Sequence, residues 1–99
     1  MSVAADNDLF RREGHFFLTT GVQALGPEAV AEVLRMVQDF NAFTQDNDPH
    51  KEHDFGSFIY SGHKIFWKID YYDRSLQYFH DPRDPGCRRV LTVLLAEEY

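Results

Sequence analysis

The residues best suited to chemistry lie in one stretch, Asn47 to Gly56, which reads NDPHKEHDFG. Within it Asp48, His50, Glu52, His53 and Asp54 offer carboxylate oxygens and imidazole nitrogens in quick succession, and Asp46 stands just before it. Donors of this kind hold hard divalent cations such as Ca²⁺ or Mn²⁺. The spacing departs from the known metal patterns. A calcium loop begun at Asp46 would need Gly at its sixth place and Glu at its twelfth, where the chain has Lys51 and Ser57. His50 and His53 are three apart, which is neither the HExxH nor the HxxEH spacing of zinc peptidases.

Acid–base chemistry is the second use of these groups. A His53–Asp70 pair across two strands would orient the imidazole, as hydrolases do. The nucleophile that should accompany it is missing: Ser57 sits mid-strand without a GxSxG elbow, and Cys87 lies between Gly86 and two arginines in a loop. The same pair has a structural reading, an ordinary cross-strand contact worth about 0.2–1 kcal/mol. One function class is therefore a small divalent-metal-dependent hydrolase centred on His50, His53, Asp54 and Asp70. His15, His63 and His80 are isolated and have no assigned role.

The third use is the negative charge itself. The net charge is −6, and between Asp39 and Asp54 five carboxylates face Lys51 alone. Asp46, Asp48, Glu52 and Asp54 share one loop, and a hairpin would bring Asp70 and Asp73 back beside it. Six acids on one edge imitate a row of phosphates toward a basic groove, with attraction screened over about 8–10 Å. Such a charge disfavours direct nucleic-acid binding and suits a protein partner with a basic surface. The structural alternative is a set of solvated turns capped by Asp side chains.

These groups need elements to position them. Gly26-Pro27 starts a helix, because proline tolerates the first turn, and Val30, Val33, Leu34, Val37 and Phe40 recur behind it, which predicts a helix over 27–42. Pro49 and the Asn and Asp around it end that segment in a turn. Phe55–Tyr60 and His63–Tyr72 read as strands joined by Ser61-Gly62, so facing residues have numbers summing to 123. Gly56 then lies opposite Trp67 and makes room for its indole. Ile65, Trp67, Ile69 and Tyr71 alternate toward a core. The run FWKIDYYD could serve as an aromatic platform for bases, but in an acidic chain Phe66 and Trp67 are read as core. GHFFLTT from Gly14 and SLQYFH from Ser75 predict two further strands, and the tail CRRVLTVLLAEEY is taken as a helix, with a strand as the competing reading.

Ninety-nine residues with 43% hydrophobic content and fifteen aromatics make one folded domain, 1–99, with about the first ten residues loose. The lone Cys87 excludes an intramolecular disulfide, which fits a reducing, cytoplasmic setting. No apolar run resembles a signal or a membrane span. No cofactor is implied.

The segments Asn47-Asp48-Pro49, Glu52 to Gly56, Phe66 to Asp73, Asp81 to Pro85 and Arg89 to Tyr99 resemble a small, functionally uncharacterised bacterial domain-of-unknown-function family. The resemblance spans most of the chain and transfers no catalytic role. Families of this kind often travel on mobile elements, which implies a part in conflict between element and host. Anti-CRISPR inhibitors share this size, acidity and want of an active site, by analogy of character only. The expectation is thus an α+β domain, an antiparallel sheet of three to four strands with one main helix on one face. The site is a partner-binding edge of Asp46, Asp48, Glu52, Asp54, Asp70 and Asp73, with the hydrolase or a self-associating structural domain as alternatives.

Overall fold

The structure is a computed structural model that describes residues 2–99. Three helices pack on one face of a four-stranded mixed sheet. In chain order the elements are α1 (Val3–Glu13), β1 (Phe16–Leu18), α2 (Thr20–Gln23), α3 (Pro27–Asp39), β2 (Phe55–Tyr60), β3 (His63–Tyr72) and β4 (Arg88–Leu95). A 3₁₀ turn, Ala96–Glu98, follows. The strand order is β1-β4-β3-β2, with β1 parallel to β4 and the other neighbours antiparallel.

The β2–β3 hairpin has the expected register: Phe55 faces Lys68, Gly56 faces Trp67, and Phe58 faces Ile65. The two turn residues make it possible, since Ser61 and Gly62 both adopt positive φ (48° and 83°), which matches the twist of the strands they join. Alternation along β3 sends Ile65, Trp67, Ile69 and Tyr71 into the core, where they meet Leu91, Val93 and Leu95 of β4 and Val33 and Val37 of α3. Trp67 is fully buried. Phe66 is not a core residue. It alternates onto the other face of β3 and is half-buried there.

Several elements differ from expectation. The N-terminal residues are ordered as α1, capped by the Ser2 hydroxyl, which accepts from the Ala5 N–H at 3.0 Å, and closed by Gly14 at φ 79°. Tertiary contact holds it: Asn7 and Arg11 are buried, and Val3 and Phe10 pack on the core. The tail is strand β4 and not a helix, because pairing to β3 on one side and β1 on the other satisfies its backbone and buries Leu91, Val93, Leu94 and Leu95. Its parallel pairing to β1 also makes the sheet mixed. Ser75–His80 forms no strand and contributes one bridge, Phe79 to Tyr72. Helix α3 stops at Asp39, three residues before Ala42.

Among the described residues no helix is long and apolar enough to cross a membrane. Cys87 is buried, and burial pushes its thiol up from the ordinary range, which makes it a poor nucleophile.

Candidate functional site

The loop between α3 and β2 is built on its own side chains. The Thr44 N–H donates to Asn47 Oδ1 at 2.8 Å, the Asn47 amide donates to the Ala42 carbonyl at 3.0 Å, and the Asp48 N–H donates to the Thr44 carbonyl at 2.8 Å. Asp48 is 5% exposed, and one of its carboxylate oxygens accepts from the Glu52 and His53 N–H groups at 3.0 and 3.1 Å. Lys51 and His53 both take left-handed backbone, φ 56°. That conformation costs energy for a residue with a Cβ, and the Asp48 hydrogen bonds hold it in place. Asp48 therefore shapes the turn, with little of it left exposed.

The left-handed turn swings His53 out of strand geometry and toward the helices. Its ring stacks flat on Phe43 at 3.8 Å between centroids. Nδ1 lies 3.0 Å from Asp8 Oδ1, and Nε2 lies 3.6 Å from Asp48 Oδ2. The expected His53–Asp70 pair does not form, because Asp70 alternates onto the opposite face of the sheet and pairs with Lys68 at 3.0 Å. Both imidazole nitrogens face carboxylates, so His53 ties the loop to α1. His50 is exposed. Among the described residues no three His, Cys, Asp or Glu side chains converge as a metal-binding group, so the set proposed for a hydrolase is dispersed.

Helix α1 supplies residues that sequence reasoning missed. Arg11 is 3% exposed; its guanidinium lies 4.6 Å from the Trp67 ring centroid and 5.3 Å from that of Phe43, and it donates to Asp8 at 3.0 Å and to the Phe40 carbonyl at 3.0 Å. Desolvation lowers its pKa, and Asp8 opposes that. Asn7, fully buried, donates to the Glu52 carbonyl at 2.9 Å and to the Tyr71 hydroxyl oxygen at 2.8 Å, and accepts from Arg89. The signals were Ser2 and Gly14, a helix cap at each end, with Asn7 and Arg11 one turn apart between them.

The remaining acids meet where β3 outruns β2. Beyond the Phe55–Lys68 pair, β3 continues to Tyr72 with β4 on one side, and on the other only Asp54, whose carbonyl accepts from the Ile69 N–H at 2.8 Å, and the Phe79 bridge. The gap is a notch of about 410 Å³ lined by Glu52, Asp54, Asp70, Tyr71, Tyr72 and Phe79, with Ile69. The Tyr71 hydroxyl donates toward Glu52 Oε1 at 3.2 Å and lies 3.4 Å from Asp54 Oδ2. Burial pushes the Asp54 carboxyl up from its ordinary value, and the neighbouring Glu52 charge adds to this. Burial likewise raises the Tyr71 phenol well above its usual range.

Of the six acids expected to share one edge, Glu52, Asp54 and Asp70 line one notch. Asp46 is exposed in the loop outside it, and Asp48 is buried. Asp73 accepts from the Ser75 hydroxyl at 2.6 Å and from the Ser75 and Gln77 N–H groups, bonds that pull its carboxyl below the ordinary range, so it too serves a turn. Beside the notch, the 73–80 loop leaves Leu76, Tyr78 and Phe79 exposed, Phe79 at 75%. Sequence reasoning missed Phe79.

No curated protein and no solved structure matches the chain. The model of one family does match, over residues 18–98, so that β2, β3, β4, α2, α3 and the notch fall within it, while β1 contributes only Leu18. The chain belongs to the family described as Protein of unknown function (DUF3768).

Proposed function

We propose that the domain is a non-enzymatic binding protein that docks through its acidic notch on a basic surface of another protein. One observation carries the reading: Glu52, Asp54 and Asp70 line a single depression walled by Tyr72 and Phe79. Carboxylates held against aromatic rings suit a guanidinium or ammonium group, which gains ion pairing and cation–π contact together. The exposed Leu76, Tyr78 and Phe79 add the apolar and aromatic area from which protein interfaces draw most of their affinity. Asp54 is raised by burial first and by the Glu52 charge second, and a positive charge in the notch would relieve that second, repulsive part. A partner surface that itself binds nucleic acid fits this chemistry, and blocking it would be inhibition of the anti-CRISPR kind. The reducing cytoplasm suits the single buried thiol.

The test is calorimetric titration with arginine-rich peptides. Wild type should bind with an affinity that falls as salt rises, and Glu52→Lys with Asp70→Lys should abolish binding without changing the circular dichroism spectrum. Asp48 is left intact because reversing a buried charge would unfold the loop. Equal binding by the double variant, or none by wild type, ends the proposal.

A further inference from the structure

The face of the sheet away from the helices has a different composition from the rest of the molecule. Strand alternation and register place Phe17, Phe55 and Phe66 on it, with Phe55 and Phe66 half-buried and Leu94, opposite Phe66, 5% exposed; among the described residues the core that α1, α2 and α3 pack against lies on the other side. Phe17 is 64% exposed. Phe55, Phe66 and Tyr99 form a row, with ring centroids 5.4 and 5.6 Å apart, and the exposed Tyr99 closes one end. The Lys64 ammonium lies 5.6 Å from the Phe66 centroid.

The same alternation sorts the charges. Lys64, Lys68 and Arg88 fall on this face with Asp70 as the one acid on its strands, in a chain whose net charge is −6. Asp70 pairs with Lys68, and Glu97 lies beside Lys64 at the end of the sheet. Lys64 and Arg88 make no ion pair among the described residues.

We infer that this open face binds single-stranded nucleic acid, its bases stacking on Phe66, Phe55 and Phe17 and its phosphates meeting Lys64, Lys68 and Arg88. Aromatic side chains on an uncovered sheet, flanked by cations, are how single strands are held without a groove to read. Two other occupants fit less well. A second copy docked face to face would oppose like charges, and a basic protein would meet the same repulsion. Duplexes present no unstacked bases to the rings. The inference goes beyond the notch and uses other residues, so either reading can fail alone.

The probe is a fluorescein-labelled twelve-nucleotide single strand, oligo-dT and oligo-U in turn, followed by anisotropy. Three cations give a slope of log affinity on log salt near −2, so raising NaCl from about 50 to 200 mM should weaken binding roughly 20-fold. Phe66→Ala should weaken it between about 5- and 150-fold, and Phe17→Ala, at an exposed edge, provides the same reading if the first variant folds poorly. Trp67 emission reports the fold, since that ring is buried on the other side of β3. Glu52→Gln, in the notch, should leave oligonucleotide binding unchanged. No binding at the lower salt, equal binding by natively folded Phe66→Ala and Phe17→Ala, or equally tight duplex binding overturns the proposal. So does a dimer in sedimentation velocity that Phe17→Asp dissociates, because the face would then be a self-contact.

Discussion

Replacing Gly56 with alanine should destabilise the domain by about 2–3 kcal/mol, through overpacking rather than loss of any contact. A Cβ at residue 56 would lie 2.4 Å from Trp67 Nε1, 2.6 Å from Cε2 and 2.8 Å from Cζ2. Ordinary contact begins at 3.4 Å, so the indole must retreat by about 3.4 − 2.4 = 1.0 Å. It has nowhere to go. Phe40 and Phe43 meet it edge-on at 5.5 and 6.1 Å, and the Arg11 guanidinium lies 4.6 Å from its centroid. For a domain of this length the loss lowers Tm by roughly 10–20 °C, which urea and thermal unfolding followed by far-ultraviolet circular dichroism will measure. Trp67→Phe removes the clashing atoms, so the two changes together should be less destabilising than their sum by at least about 1 kcal/mol. Strict additivity, or an alanine variant as stable as wild type, would refute the packing argument.

The Asp54 carboxyl is raised by burial first and by Glu52 second, so the folded state holds a proton there more readily than the unfolded chain does. Its favourable contribution is complete below the unfolded pKa and is lost as pH rises through the folded one. Asp54→Asn should therefore stabilise the protein at pH 7 relative to wild type, with the difference shrinking as pH falls toward about 4, as read from urea midpoints along a pH series. Asp48→Ala leaves the Glu52 and His53 N–H groups without their acceptor and should cost about 2 kcal/mol in chemical denaturation, while Asp48→Asn keeps an oxygen in place and should cost less.

How much of this could be read from the chain depended on the range of the interaction. A two-residue reversal at Ser61-Gly62 sets the β2–β3 register by local geometry, and with it the space Gly56 leaves for Trp67. Helix α3 was legible for the same reason, from Pro27 and a clear apolar stripe. Residues 88–95 have Val, Leu and Thr in numbers that suit either helix or strand, and only the strands on both sides decide between them. Helix α1 hid because its most buried positions are the polar Asn7 and Arg11, which leaves only Val3 and Phe10 of its core contacts to mark a hydrophobic period. At the candidate site, the hairpin brings Glu52 and Asp70 to the lining of one notch. His53 does not join them, since a left-handed backbone sends it to Asp8, 45 residues away in the chain. Net charge says nothing of how charges are distributed, because alternation along β3 puts Lys64 and Lys68 together on one face whatever the total.

Strand β4 occupies an interior position in the sheet although it comes last of the four strands in the chain. During synthesis β1 and the β2–β3 hairpin emerge with their shared neighbour still missing, and both edges awaiting it must stay unpaired until residue 95 clears the ribosome. Contacts such as Phe16 to Leu91 join residues 75 positions apart, which raises the contact order and slows the final step. Until β4 is added, the nascent chain is open at both of those edges to chaperones, proteases and strand-to-strand aggregation.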